Sequence, residues 1–131
     1  MGQNEKTRAL LAAFGCALAY LLAGKALAAA LPPAPEEAAR MWAFVHRCAA
    51  APIVEELVFR GIIQQLARPL GERQAVALQA VLFAVQHRGP AGMAYALVCG
   101  LVLGTIRSHT GSVWPGMFLH TLNNLLVFAA G

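Results

Sequence analysis

The segment RALLAAFGCALAYLLAGKALAAAL, residues 8–31, constrains the fold more than any other part of the sequence. It is apolar apart from the two basic residues Arg8 and Lys25, and as a helix it is long enough to cross a bilayer core of ~30 Å. Water is absent from that core, so backbone N–H and C=O groups must be satisfied within the chain, which a helix achieves. The segment therefore predicts a membrane-spanning helix.

The composition of the whole chain agrees with a membrane location. Hydrophobic residues make up 59% of the sequence and charged residues 12%, with a mean hydropathy of +0.60, whereas a typical soluble domain has about 25% charged residues. The net charge of +4 comes from scattered basic residues without interleaved aromatic residues, which argues against a nucleic-acid partner. The three cysteines are widely separated and contain no CxxC pair, so the sequence indicates neither a disulfide framework nor a zinc ribbon.

Proline, glycine and charged residues divide the remainder into helical stretches. The breaks are PPAPEE after the first span, ARPLGER at 67–73, Arg88-Gly89-Pro90 and SHTGS at 108–112. A new helix is expected to begin at Pro52, and no segment has the pattern of a strand. The sequence predicts an all-α polytopic bundle of about five or six helices; the expected helices after the first are 36–50, 52–67, 74–87, 91–107 and 113–130.

Residues 1–35 are interpreted as an N-terminal membrane span followed by a proline-rich turn. The same region has features of a secretory signal peptide, namely basic residues, an apolar stretch and A-x-A-like triplets near 26–30. A retained span is favoured because Lys25 interrupts the late part of the apolar stretch. Basic residues in the connections place the N-terminus in the cytoplasm by the positive-inside rule.

The stretch PIVEELVFRG, residues 52–61, introduces three charges into an apolar helix. Glu56 and Arg60 are four residues apart, so they share a helix face and can form an ion pair. Glu55 projects about 100° around the helix from Glu56 and is left to act as a general base. A purely structural ion-pair cluster is the alternative, although ionisable groups within a membrane are usually functional.

Two further polar positions lie in the predicted helices. His87 ends the stretch FAVQH, and counting from the 67–73 turn places it at nearly the depth of Glu55 in an antiparallel hairpin. His120 and Asn124 share a face of the last helix, where they either join helices by hydrogen bonds or stabilise an oxyanion. The same counting predicts that His120 lies about 10 Å shallower than His87. Between these motifs, Gly100 and Gly104 form a GxxxG step that allows close helix packing.

The order of these motifs resembles the CPBP family of intramembrane proteases, also called the Abi family, which includes bacterial relatives of the Ras-converting CAAX endopeptidase. EELVFR matches EExxxR, FAVQH matches FxxxH and HTLNN matches HxxxN, and the spacing between the motifs also agrees. The resemblance covers roughly residues 50–128. It implies that residues 36–131 form a CPBP-like catalytic helical core in a multi-pass protein of the cell membrane, the inner membrane in a bacterium.

The resemblance also implies a role for each matched residue. Glu55 would activate a water molecule with the assistance of His87, and His120 and Asn124 would hold the oxyanion. The remaining motif positions, Glu56 and Arg60, would have a supporting role. No cofactor is expected, because the family is usually regarded as glutamic-type; a zinc ion held by Glu55, His87 and His120 stays open as the alternative.

The leading hypothesis is therefore an intramembrane endopeptidase that cleaves a membrane-anchored protein or peptide, for example at a C-terminal sorting or anchor segment. The bilayer and this substrate are its expected partners. If the N-terminus is cytoplasmic, Glu55 and His87 lie toward the outer leaflet. The alternative hypothesis is a non-catalytic immunity or scaffold protein of the same family, in which the polar residues only hold the helices together.

Overall fold

A computed structural model describes residues 2–131. Within that range the chain forms five helices and no strand, which confirms the predicted all-α bundle. Two of the helices, Gln3–Ala30 and Gly89–Thr110, are long and apolar enough to cross a membrane. In chain order the helices are α1 (Gln3–Ala30), α2 (residues 36–70), α3 (Glu72–Ala84), α4 (Gly89–Thr110) and α5 (Trp114–Ala130).

Helix α2 is one continuous helical run, and the prediction of a new helix at Pro52 was wrong. Proline has no N–H to donate to the preceding turn. The turn before Pro52 is π-helical, with hydrogen bonds that skip one more residue than in an α-helix, and this accommodates the interruption without ending the helix. The successive segments are 3₁₀ Glu36–Ala38, α Ala39–Val45, π His46–Ala50, α Ala51–Glu55, π Glu56–Ile63, α Gln64–Ala67 and 3₁₀ Arg68–Leu70.

The predicted 67–73 turn joins α2 to α3. Its reversal occurs at Gly71, where φ is +116°, a conformation that residues with a Cβ rarely adopt. Gly111 has the left-handed helical conformation, with φ +69°, and ends α4. The turn at Gly71 makes α2 and α3 antiparallel neighbours, as the sequence predicts, and the turn at Gly111 separates α4 from α5.

Helix α1 packs against the C-terminal half of α2 and against α3. It uses a stripe of small residues for this contact: Ala13 is fully buried, and Ala9 and Ala17 are nearly so. The opposite faces of the bundle carry large exposed apolar side chains, such as Leu11 and Phe14 on α1. A continuous apolar exterior of this kind is typical of a protein surrounded by lipid.

Helices α3 and α4 approach closely at the GxxxG step, as predicted. A Cβ on Gly100 would lie 2.9 Å from the Cα of Ala80, so only glycine fits this crossing. Two buried glutamine side chains bind the backbone of α4, Gln79 from α3 and Gln64 from α2. The Gln79 amide donates to the carbonyl of Gly100 at 2.8 Å, and the Gln64 amide donates to the carbonyl of Gly104 at 3.0 Å.

Helix α5 runs antiparallel along α2, with which it makes the contacts that define the site. Gly116 is the closest point, because a Cβ there would lie 2.6 Å from Oε2 of Glu56. Toward the other end of the contact, the rings of Phe44 and Phe128 meet edge to face at 5.5 Å. The absence of a side chain at Gly116 lets α5 seat directly on the charged part of α2.

Candidate active site

A buried charged cluster joins α2 to α5. Oε1 of Glu56 lies 3.0 Å from Nη1 of Arg60 and 2.9 Å from Nδ1 of His120. Glu56 and Arg60 are completely buried, and His120 is nearly so. The predicted Glu56–Arg60 pair is therefore present, and the imidazole of His120 is a second partner of the same carboxylate oxygen.

The backbone of this region is the π-helical segment Glu56–Ile63. A π-helical turn contains more residues than an α-helical turn, which brings residues four apart closer to a common line along the helix. Within this segment Glu56 pairs with Arg60, and Arg60 reaches over the ring of Phe83, 4.5 Å from its centroid. Isolated π-helical turns are frequent at functional sites.

Glu55 lies beside the cluster and faces a different environment from Glu56. Its side chain is 20% exposed, whereas that of Glu56 is fully buried. Oε2 of Glu55 lies 3.6 Å from Nε2 of His120. The imidazole of His120 is therefore located between the two carboxylates, with Nδ1 toward Glu56 and Nε2 toward Glu55.

His87 lies in the turn after α3, and Phe83 on α3 positions it. Nδ1 of His87 donates to the carbonyl of Phe83 at 3.0 Å, since a carbonyl oxygen can only accept. This bond leaves Nε2 as the ring nitrogen available to accept a proton. The ring of Phe83 contacts both imidazoles, with centroid distances of 4.6 Å to His87 and 5.9 Å to His120.

Glu55 and His87 line the same cavity, which has a volume of about 500 Å³. The sequence predicts this pairing from the hairpin register, and the structure brings the two side chains together. Aromatic residues from α1, α2 and α3 supply part of the remaining wall, and polar and basic residues supply the rest. The complete lining is Tyr20, His46, Arg47, Glu55, Phe59, Phe83, Gln86, His87 and Arg88.

Asn124 is not brought into this cavity. Its amide donates to the carbonyl of Arg47 at 2.9 Å, and its side chain lines a neighbouring cavity of about 720 Å³. The structure therefore unites Glu55, His87 and His120 at one place and leaves Asn124 one helical turn away from His120. Its role as an oxyanion donor stays a prediction, and requires the amide to leave the Arg47 carbonyl.

The depth of His120 differs from the count based on the α4–α5 turn. Because His120 contacts Phe83, it lies about one helical turn from the level of His87, not about 10 Å away. The residue count from the turn at 108–112 assumed that α4 and α5 pack side by side as an antiparallel helical hairpin. Helix α5 instead packs along α2 through Gly116, which brings His120 to the glutamates.

Sequence reasoning did not identify two residues that shape the site. Phe83 contacts Arg60 and both histidines, and its position four residues before His87 was the available signal. Tyr20 on α1 lines the cavity and packs edge to face on Phe59 at 5.5 Å. A polar-tipped aromatic residue within an apolar span was the only hint of that role.

The zinc alternative depends on how the donor atoms of Glu55, His87 and His120 are arranged. Across residues 2–131, no group of three or more His, Cys, Asp or Glu side chains has a geometry that could hold a metal ion. Both ring nitrogens of His120 already face carboxylates, and Nδ1 of His87 faces a carbonyl. Nε2 of His87 is the one imidazole nitrogen of these two residues that has no protein partner in the described structure.

The fold and the site define a helical membrane protein with a buried Glu–Arg–His cluster beside a cavity that a second glutamate and a second histidine line. Residues 36–126 match the family model described as type II CAAX prenyl endopeptidase Rce1-like. The match covers more than half of the chain and all of the predicted site residues, so the chain belongs to this family of CAAX-type proteases. Comparisons with curated proteins and with solved structures gave no match.

Proposed function

We propose that the protein is an intramembrane endopeptidase that hydrolyses a peptide bond with a water molecule activated by Glu55 and His87. The observation that carries the proposal is that these two side chains, from different helices, line one cavity. Glu55 is partly exposed to that cavity, and His87 has its Nε2 free of protein hydrogen bonds. A carboxylate and an imidazole placed in this way can hold one water molecule between them.

In the proposed reaction, the water oxygen attacks the carbonyl carbon while Glu55 takes one of the water protons. His87, with Nε2 as acceptor, orients the water. The tetrahedral intermediate then collapses, the C–N bond breaks, and Glu55 returns the proton to the departing nitrogen. The products are a new carboxyl terminus and a new amine, and both side chains recover their starting state.

His120 is proposed to stabilise the oxyanion, and Glu56 and Arg60 to position it. A charge count supports this division: two carboxylates face one guanidinium, so one proton shared between Glu55 and His120 makes the group neutral. A neutral group avoids the large free-energy penalty of an uncompensated charge in a dry site. Glu56 holds Nδ1 of His120, which leaves Nε2 as the nitrogen that faces the reacting atoms.

The proposed mechanism is glutamic rather than metal-dependent, because the directions of the histidine nitrogens suit hydrogen bonding better than shared coordination. Elemental analysis of active protein discriminates the two. A glutamic enzyme keeps its activity after treatment with a chelator and contains no stoichiometric metal. A stoichiometric metal whose removal abolishes cleavage would establish the metalloprotease.

The proposed substrate is a membrane-anchored protein or peptide, cleaved close to the bilayer surface. The antiparallel packing of α1 on α2 places Lys6 and Arg8 at the same end as Arg68, Arg73 and Arg107. If this end is cytoplasmic, the cavity opens toward the outer leaflet of a bacterial inner membrane. With the native cysteines replaced, labelling of Arg88→Cys by a membrane-impermeant reagent from outside supports this orientation, and labelling only from the cytoplasm refutes it.

The test of the proposed function uses purified protein in liposomes with an internally quenched peptide that carries a farnesylated cysteine near its C-terminus. Glu55→Gln and His87→Asn should each lower kcat/KM by about 10² or more. Glu37→Gln, an exposed glutamate at the start of the same helix, is the matched control and should cleave at the wild-type rate. Equal cleavage by Glu55→Gln and wild type would contradict the role proposed for Glu55. No cleavage by the wild-type protein would favour the non-catalytic scaffold instead.

A further inference from the structure

Three arginines surround the two cavities at the His87 end of the bundle. Arg47 and Arg88 line the Glu55–His87 cavity, and Arg47 and Arg40 line the neighbouring one. In the part of the chain that the structure describes, ion pairs involve only Arg60, Arg68 and His120 as cationic partners. The guanidinium groups of Arg40, Arg47 and Arg88 therefore have no carboxylate partner there.

The charge on the walls of the Glu55–His87 cavity is unbalanced. Glu55 is the only carboxylate that lines it, whereas Arg47 and Arg88 contribute two permanent positive charges. Low-dielectric walls focus the field of such charges into the cavity, which raises the local concentration of anions. The reaction steps proposed for Glu55 and His87 make no use of either arginine. The two arginines are therefore available to bind a part of the substrate away from the cleaved bond.

A peptide offers a limited choice of anions: its terminal carboxylate and its acidic side chains. Guanidinium groups bind a carboxylate through two parallel hydrogen bonds, with more geometric specificity than an ammonium group achieves. The cavity holds about 500 Å³, which suits a short peptide segment. An anion that docks at its rim would therefore lie only a few residues from the bond that faces Glu55.

We propose that Arg47 and Arg88 form a carboxylate-binding subsite at the rim of the catalytic cavity, and that this subsite sets the cleavage position by holding a carboxylate of the substrate. The proposal rests on the proposed function, because it uses the same cavity and the same substrate class. Its consequence is a preference for bonds at a fixed short distance from the docked carboxylate. Arg40, which lines only the neighbouring cavity, has no part in this selection.

The test compares one lipidated, internally quenched peptide in two forms, with a free C-terminal acid and with a C-terminal carboxamide. Wild-type protein in liposomes should prefer the free acid by about tenfold or more, the factor that one charge-assisted hydrogen bond supplies. Arg47→Gln and Arg88→Gln should lose the preference by slowing cleavage of the acid and not of the amide. Arg40→Gln is the matched control and should keep it.

A third peptide distinguishes the two sources of the carboxylate. It is the amide form with a glutamate placed at the last position, and its glutamine counterpart is the reference. Restored cleavage with glutamate assigns the subsite to any carboxylate at that distance. No restoration, together with a preference for the free acid, assigns it to the chain terminus.

Binding separates failure of this proposal from failure of the proposed function. The Glu55→Gln protein should bind the free-acid peptide about tenfold more tightly than the amide by fluorescence anisotropy, even if no cleavage occurs in any assay. Equal affinity for the two peptides would overturn the subsite. So would an Arg88→Gln protein that weakens binding of both forms equally, because that result indicates general attraction to the membrane surface.

Discussion

Two of the helix contacts that bury polar side chains in the bundle differ in kind. Between α3 and α4, the neutral amide of Gln79 donates to the Gly100 carbonyl at 2.8 Å, and a missing side chain at Gly100 sets the spacing. Between α2 and α5, Glu56 holds a guanidinium and an imidazole. A neutral amide is sufficient to hold two helices, so the charges at the second contact need another explanation.

The energetic difference between the contacts supports that distinction. A hydrogen bond between neutral groups within a membrane protein contributes about 1 kcal/mol or less, at little desolvation penalty. Burial of ions is far more costly, and it is balanced only when the charges compensate one another. In the described structure, Oε2 of Glu56 and Nε of Arg60 have no hydrogen-bond partner, so compensation at the second contact is incomplete. Catalysis provides a reason to retain such a cluster.

Breaking the charged contact should have the largest effect. Glu56→Gln leaves the buried guanidinium of Arg60 without its counterion, and we expect a loss of about 3–5 kcal/mol in the free energy of unfolding in detergent micelles. The neighbouring Glu55→Gln is the control. Its partly exposed side chain is not paired with Arg60, so it should change stability by less than about 1 kcal/mol. Equal destabilisation by the two variants would contradict the assignment of different roles to adjacent glutamates.

Removing both charges should sharpen the comparison. The double variant Glu56→Gln with Arg60→Met no longer contains the unpaired guanidinium, so it should recover about 1–4 kcal/mol relative to Glu56→Gln alone. It should nevertheless be inactive, because Nδ1 of His120 loses its carboxylate partner. A double variant as unstable as the single one would show that the unpaired charge is not the source of the loss.

The stability of the α3–α4 contact should depend on side-chain volume and not on charge. Gly100→Ala places a methyl group against the backbone of Ala80 and should destabilise the protein by about 1–3 kcal/mol. Gly92→Ala in the same helix meets open space and should raise stability by up to about 1 kcal/mol. Thermal unfolding of the two variants checks the difference. A Gly100→Ala protein as stable as Gly92→Ala would remove the close-packing argument.

The smallest effect is expected at the exposed end of the α3–α4 contact, at Glu72. A hydrogen bond from the Ser108 hydroxyl, and the charge of Arg68, hold the pKa of Glu72 below its usual value. A lowered pKa in the folded state contributes stability above the unfolded pKa, and this is lost as pH falls through the folded value. Ser108→Ala should reduce the acid dependence of unfolding below about pH 5, by less than about 1 kcal/mol because the pair is exposed. An unchanged pH profile would exclude the linkage.

Much of this architecture can be predicted from the apolar segments of the sequence and from the proline and glycine residues that separate them. The apolar run of α1, the 67–73 turn and the glycines of α4 each act locally, so their effects can be predicted without tertiary information. The register of Glu55 and His87 follows because a short turn fixes both helices. The packing of α5 along α2 cannot be predicted in this way. It depends on a contact between Gly116 and Glu56, and these two residues are 60 positions apart in the sequence.

Two details of the site could not be predicted from the sequence, because they also depend on how the helices pack. The π-helical segment Glu56–Ile63 has no sequence signature of its own, since its hydrogen bonds differ from those of an α-helix by one residue. The position of Asn124 also depends on that packing, because its amide meets the carbonyl of Arg47 on the facing helix. Motif spacing identifies residues that share a helix face, and it does not specify which cavity that face lines.

The central claim is that Glu55 and His87 act together on one water molecule in one cavity. A double-mutant cycle of kcat/KM, with Glu55→Gln, His87→Asn and the combined variant in liposomes, tests it most directly. Residues that work as a unit are strongly non-additive, so the combined variant should be about as slow as the slower single variant. A combined variant whose loss equals the product of the two separate losses would show that the two side chains act independently, and would contradict the account.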